Sequence, residues 1–140
     1  MRHLSENAIQ FARVLIAIVF VLNAIGVTDQ IIPAKEMMEP VVPVAVVPWL
    51  ILAGRALELV AGFALVLGFF PRAAALTLLS VLISATLVSH SAWLSSGSPA
   101  LMGQLINLSK NLGTCGTLLF IGASSNRPVW ATFRKSLRKQ

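Results

Sequence analysis

Four long, predominantly apolar stretches follow one another along the chain, at residues 11–28, 46–69, 73–93 and 101–123. Each is long enough to supply the ~20 residues that a helix needs to cross a hydrocarbon layer of ~30 Å. Shorter segments rich in proline, glycine, serine or charged residues separate them, which is typical of turns. The pattern predicts an all-α integral membrane protein in which a single domain, residues 1–140, forms an antiparallel four-helix bundle.

Two charged residues, Arg55 and Glu58, interrupt the second stretch. At the centre of a bilayer each charge costs roughly 2.5–3.5 kcal/mol on insertion scales, so neither is expected to face lipid. Residues three apart share a helix face, which allows Arg55 and Glu58 to pair and to point together into the interior of a bundle. The other helices are then expected to form the walls of that interior.

The composition agrees with a membrane protein, since 56% of the residues are hydrophobic, 11% are charged and the mean hydropathy is +0.83. A soluble domain carries about 25% charged residues. The net charge of +6 is concentrated in a basic tail at 124–140, without the basic stripe and interleaved aromatic residues of a nucleic-acid-binding surface. We therefore expect the lipid bilayer, and no nucleic acid, as a partner of the tail. Cys115 is the only cysteine, so no disulfide forms within one chain.

The distribution of lysine and arginine predicts the orientation in the membrane. Four crossings place both termini on one side, which holds Arg2, Arg13, Arg72 and the basic tail, whereas the opposite side holds only Lys35. Cytoplasmic segments are enriched in these residues, so both termini are expected in the cytoplasm and the chain in the inner (plasma) membrane as a multi-pass protein. A cleaved signal peptide is the alternative for the first stretch, but Arg13 interrupts it and no clear small-residue cleavage site follows.

Polar residues of the fourth stretch, at positions 107, 110, 111 and 114, follow the spacing of one helix face. With a rise of ~1.5 Å per residue, Lys110 and Arg55 each lie about 14 Å from the outer end of their helices. They come within reach of each other if the second and fourth helices are neighbours. The residues predicted to bind a ligand are Arg55, Glu58, His90, Asn107, Lys110 and Asn111, with Arg13 and Asn23 as further candidates.

These residues place more positive than negative charge inside the bundle, because Arg55 and Lys110 accompany a single carboxylate, Glu58. Such an excess is relieved by loss of a proton from the lysine, by water or by a bound anion, and each of these creates a site. A purely architectural role, in which the charges fix helix register, is the alternative. No metal site is predicted, because His3 and His90 lack cysteine or carboxylate partners at ligand spacing.

The order of these residues resembles the DoxX family of small four-helix membrane proteins. The similar pattern is Gly54-x3-Glu58-Leu59-x2-Gly62-x5-Gly68-x3-Arg72-Ala73-Ala74, then His90, then Asn107-x2-Lys110-Asn111-Leu112. Arg13 and Gly26 in the first stretch fit the same pattern. The resemblance implies that the recurring polar positions of the family are Glu58, Arg72, His90, Lys110 and Asn111. Arg55 is not one of them.

The resemblance also implies a function as a membrane subunit linked to quinone or thiol redox chemistry, or to oxidative stress. Family members are similar to a subunit of a thiosulfate:quinone oxidoreductase, or to partners of superoxide dismutase and sulfurtransferase. The ligand would be a quinone or a small anion at the polar cluster. The sequence has no cofactor motif and no haem ligand set, so we expect no covalently bound cofactor and a soluble or membrane redox partner that supplies the electrons. An accessory subunit is favoured over an independent enzyme.

Two other functions stay open. One is a bundle that carries a small solute or a proton, although no inverted repeat or broken helix is visible in the sequence. The other is a membrane scaffold that recruits soluble partners. A homo-oligomer also stays open.

Overall fold

The computed structural model describes residues 2–27, 42–91 and 101–124, with side chains over 8–27, 42–88, 103 and 105–124. These residues form four α-helices and contain no strand. The helices are α1 (Arg2–Ala24), α2 (Val47–Leu67), α3 (Pro71–Ser91) and α4 (Leu101–Ser124). The all-α class is thus confirmed. The predicted linkers around Lys35 and Gly97, the basic tail and the side chain of His90 lie outside the described residues.

Glycines in the left-handed conformation end α1 and α2. Gly26 has φ 83° and Gly68 has φ 71°, a region that other residues adopt at a steric cost. After α2, the Phe69 amide donates to the Ala64 carbonyl at 2.8 Å and the Gly68 amide to the Leu65 carbonyl at 3.3 Å. This pair of bonds is a Schellman motif, which satisfies carbonyls left open at the end of the helix.

The turn between α2 and α3 is short because a proline opens α3. Pro71 stands at the first helical position, where the missing amide hydrogen costs no intrahelical bond. The carbonyl of Phe70, itself at φ 42°, accepts the first bond of the helix from the Ala74 amide at 3.0 Å. The turn predicted at Phe70-Pro71-Arg72 is confirmed.

Each helix packs mainly against two neighbours. α1 contacts α2, α2 contacts α3, α3 contacts α4, and α4 contacts α1 less extensively. Side-chain contacts show that neighbouring helices run antiparallel. Gln10 of α1 bonds to Val66 near the end of α2, and a Cβ on Gly122 of α4 would lie 3.8 Å from Ala75 near the start of α3. α2 and α4 therefore occupy diagonal corners of the bundle.

An apolar core fills the part of the bundle that is nearest the α2–α3 turn. Leu65 of α2, Leu78 of α3, and Leu118 and Ile121 of α4 are fully buried there, and Phe20 of α1 packs with them. Inside a membrane, helices gain little from the hydrophobic effect, because lipid tails are as apolar as leucine, so close packing supplies the stabilisation.

The outward-facing surface is also apolar. Phe70 is 80% exposed, Trp49 71%, Val60 69% and Leu87 68%. Soluble monomers rarely expose contiguous apolar patches above roughly a few hundred Å². In the described part of the chain, α2 and the Pro71–Val88 portion of α3 are long and apolar enough to cross a membrane, with mean hydropathies of 2.0 and 1.7.

Candidate intramembrane polar site

Two charged side chains are buried among the residues with described side chains. Arg13 on α1 is 6% exposed and Glu58 on α2 is 7% exposed. An ionisable group in such surroundings persists only when other polar groups or charges offset the loss of water. The polar contacts of these two residues therefore define the candidate sites.

Glu58 is bound to α1 through Asn23. The Asn23 side-chain amide donates from Nδ2 to Oε2 of Glu58 at 2.8 Å, the length of a strong, charge-assisted bond. Asn23 lies in the last turn of α1, opposite the middle of α2, because the two helices run antiparallel. The sequence analysis named both residues as candidates, and the structure brings them together.

Arg55 precedes Glu58 by three residues and is half-buried. Residues at this spacing lie on one face of a helix, one turn apart. Asn23, Arg55 and Glu58 thus form a polar cluster at the α1–α2 interface, farther from the α2–α3 turn than the apolar core. We call these three residues the Glu58 cluster.

Arg13 lies at the other end of the same interface. It precedes Asn23 by ten residues, which corresponds to about 15 Å along α1. Its Nη1 donates to Oε1 of Gln10 at 3.2 Å, and Nε2 of Gln10 donates to the Val66 carbonyl of α2 at 3.0 Å. Arg13 is therefore separate from the Glu58 cluster. Gln10 is not among the residues predicted from the sequence, although its position one turn before Arg13 places it on the same helix face.

A second polar contact joins α3 and α4. The Asn111 Nδ2 group donates to Oγ1 of Thr86 at 2.9 Å, and Thr86 donates to the Leu82 carbonyl of its own helix at 2.7 Å. Asn111 was predicted as a site residue, and the structure gives it an interhelical partner. This pair lies on the neighbouring interface and not in the Glu58 cluster.

The structure places Lys110 and Asn107 on the exposed surface of α4. The sequence-based prediction that Lys110 meets Arg55 and Glu58 required α2 and α4 to be neighbours, and they lie diagonally opposite. Successive residues of a helix are about 100° apart, so when Asn111 turns toward α3, Lys110 turns away. The predicted grouping of these residues is corrected accordingly.

Close contact between helices occurs at Gly62 and not at Gly54, Gly113 or Gly116. A Cβ on Gly62 would lie 3.0 Å from Cγ2 of Val21 and 3.6 Å from the Ala17 carbonyl oxygen, so α1 and α2 approach closely there. A Cβ on Gly54, Gly113 or Gly116 would meet no atom within 4 Å.

A separate apolar groove of about 240 Å³ lies between α2 and α3, on the side of the α2–α3 turn. Its lining comprises Leu57, Val60, Ala61, Ala64, Phe69, Phe70, Ala73, Ala74 and Thr77. Leu57 adjoins Glu58 in sequence, and Ala61 follows Glu58 by one turn. Along α2 the groove therefore begins within one turn of Glu58 and ends at the α2–α3 turn, and no residue of the Glu58 cluster is among its lining residues.

A helical chain with an apolar exterior and two helices long and apolar enough to cross a bilayer has the features of a membrane protein. The comparison with family models is more specific, because the DoxX model matches residues 8–91, which is more than half of the chain. This chain belongs to the DoxX family, which is membrane-associated. The match covers the Glu58 cluster and ends with α3, so α4 lies beyond it. No curated protein and no solved structure matches the chain.

Proposed function

We propose that this DoxX-family chain is a multi-pass protein of the inner membrane, with both termini in the cytoplasm, and that it is an accessory subunit in quinone or thiol redox chemistry. Its ligand is a quinone-like or small anionic molecule that binds at the Glu58 cluster. The observation that carries the proposal is the buried carboxylate of Glu58, bound to Asn23 with Arg55 one turn away. Ionisable residues at membrane depth commonly mark functional sites.

The charges of the cluster suit a ligand that bears a polar oxygen. The guanidinium of Arg55 presents several N–H donors and a fixed positive charge, which stabilise an oxyanion or the oxygen of a reduced ring. The Glu58 carboxylate accepts hydrogen bonds, and it is the carboxyl group of the cluster through which a proton would pass to or from the ligand. Asn23 holds that carboxylate in place from the neighbouring helix.

The apolar part of the same ligand would bind in the apolar groove between α2 and α3. Its volume of about 240 Å³ approaches the lower end of the ~300–1,000 Å³ typical of small-molecule pockets. Four of its nine lining residues are alanines, and Phe69 and Phe70 line its end near the turn. A ring at the Glu58 cluster would extend its apolar substituent along this groove.

The test is equilibrium binding of a short-chain ubiquinone analogue to the purified protein in detergent. We expect saturable binding to the wild type. For Arg55→Gln we expect affinity to fall roughly 10-fold or more, because a hydrogen bond to a charged group contributes about 1.5–3 kcal/mol. Glu58→Gln keeps the shape of the side chain but removes its negative charge, and it is expected to weaken binding.

Arg72→Gln is the matched control, since it removes an exposed cation at the α2–α3 turn and leaves the Glu58 cluster intact. Its affinity is expected to equal that of the wild type. Absence of saturable binding, or equal affinities for the wild type, Arg55→Gln and Glu58→Gln, would contradict the proposed ligand. A helical-content measurement by circular dichroism on each variant separates loss of binding from loss of fold.

The transport alternative receives less support from the fold. Transporters commonly bind ions where a helix is broken near mid-depth, at the ends of the two half-helices. The four helices in the described part of the chain are continuous through their lengths. Binding at an interhelical cluster without transport is therefore the function that we favour.

A further inference from the structure

The exposed face of α4 carries a cation in an unusual setting. Four exposed residues at helical spacing, Gly103, Asn107, Lys110 and Gly113, form one face of the helix, which we call the Lys110 face. Within the described residues, neither the Lys110 ammonium group nor the Asn107 amide makes an ion pair or a side-chain hydrogen bond. By contrast, the nearby hydroxyl groups of Ser109 and Thr114 are hydrogen-bonded, because each donates to a carbonyl of its own helix.

In the proposed multi-pass topology α4 crosses the membrane, and the depth of Lys110 then makes its exposure to lipid costly. It lies nine residues after the first residue of α4, about 14 Å along the helix, and farther still from the other end. The four-carbon stem of a lysine is much shorter than this distance, so its ammonium group does not reach a headgroup from there. A lysine at mid-depth costs roughly 2.5–3.5 kcal/mol on insertion scales when lipid surrounds it.

We infer that the Lys110 face is a docking surface for a transmembrane helix of a partner protein that carries a carboxylate at mid-depth. Charge complementarity selects this occupant, because an acidic side chain neutralises Lys110 without water. The inference rests on the proposed multi-pass topology. It is independent of the proposed ligand, since Lys110 lies outside the Glu58 cluster and beyond the residues that match the DoxX model.

The shape of the face agrees with a helix as the occupant. Cβ atoms built on Gly103 and Gly113 meet no atom of this chain within 4 Å, so both positions are open to an incoming helix. Small residues at such positions allow the close approach that drives helix association in membranes. Asn107, one turn before Lys110, adds a donor and an acceptor to the same face.

A second copy of this chain fits less well. In a parallel pair of α4 helices, equivalent residues meet, so Lys110 would face Lys110 of the other copy. The buried acid of the chain, Glu58, lies between α1 and α2 and is not presented to such a partner. A second copy would therefore add a positive charge where a negative one is required.

The experiment measures association between the reconstituted protein and synthetic transmembrane peptides in lipid vesicles. The protein carries a donor dye at a cysteine introduced by Gln140→Cys, with Cys115→Ser to remove the native thiol. The peptides share a leucine-rich sequence, carry an acceptor dye and differ only at the central residue, which is glutamate, leucine or lysine. Energy transfer then reports the affinity of each peptide.

We expect the wild-type chain to bind the glutamate peptide roughly 5- to 30-fold more tightly than the leucine peptide, the range measured for polar contacts between model membrane helices. Lys110→Met is expected to abolish that preference, and Lys110→Glu to transfer it to the lysine peptide. Arg72→Gln removes a cation at the α2–α3 turn, and this variant is expected to keep the preference for the glutamate peptide. Since Lys110 has no described partner, these variants are expected to retain the helical content of the wild type.

Equal affinity for the glutamate and leucine peptides would overturn the inference, and so would a glutamate preference that persists in Lys110→Met. The oligomeric state is measured in the same vesicles by counting photobleaching steps. A stable dimer that Lys110→Met dissociates would assign the face to a second copy and would also overturn the inference. None of these outcomes depends on binding of a quinone analogue.

Discussion

Gly62→Leu is expected to destabilise the bundle more than any other single glycine substitution in its described part. A Cβ at this position would lie 3.0 Å from Cγ2 of Val21, and the Ala17 carbonyl oxygen is 3.6 Å away, so a larger side chain forces α1 and α2 apart. Overpacking of this kind typically costs about 1–3 kcal/mol. Separation of the two helices also weakens the bond between Asn23 and Glu58, which lies about one turn farther along the interface.

Gly116→Leu is the matched control, because a Cβ there meets no atom within 4 Å. It is expected to leave stability within ~0.5 kcal/mol of the wild type, as exposed substitutions usually do. The measurement is the free energy of unfolding in mixed micelles, from loss of helical circular dichroism as the denaturing detergent increases. Equal destabilisation by Gly62→Leu and Gly116→Leu would contradict the close approach of α1 and α2.

Asn23→Asp is the second substitution with a large expected effect. It keeps the shape of the side chain but replaces the amide donor by a carboxylate, 2.8 Å from Oε2 of Glu58. Two carboxylates at this distance cannot both remain charged without strong repulsion. The hydrogen bond to a charged group that is lost contributes about 1.5–3 kcal/mol by itself. We expect a loss of stability of at least ~2 kcal/mol at neutral pH, since Arg55 nearby offsets part of the repulsion.

The double variant Asn23→Asp with Glu58→Gln restores one carboxylate and one amide in exchanged positions. It is expected to recover most of the stability that Asn23→Asp loses. Asn23→Leu removes the donor without adding a charge, so its stability is expected to lie between that of Asn23→Asp and that of the double variant. The coupling energy from this cycle measures the contact directly. Additive effects of the two single substitutions would show that Asn23 and Glu58 do not touch in the membrane.

Much of the fold follows from the sequence because length and hydropathy define membrane helices strongly. The boundary between α2 and α3 was also predictable, since Pro71 fixes the start of a helix and Gly68 permits the left-handed conformation that ends one. The start of α1 was not predictable, because the residues before position 11 are mostly polar and continue the helix without an apolar run.

The candidate site was predicted less well than the helices. Glu58 and its neighbour Arg55 were predicted as site residues because a charged side chain in lipid carries a high free-energy cost. Asn23 was predicted because it is a polar residue in an apolar run. A helical repeat, however, shows only which residues share a face and not which neighbour that face meets. Lys110 was therefore assigned to the interior, whereas the order of packing around the bundle leaves it exposed.

The central claim is that Glu58 lies inside the membrane between helices, and thiol accessibility tests it most directly. Single cysteines replace Glu58 or Arg72 in a Cys115→Ser chain, and a membrane-impermeant maleimide is added from either side of intact membrane vesicles. We predict that Arg72→Cys reacts from the cytoplasmic side alone and that Glu58→Cys reacts from neither side until detergent unfolds the bundle. Reaction of Glu58→Cys in intact vesicles at the rate of Arg72→Cys would place this residue in water and contradict the account.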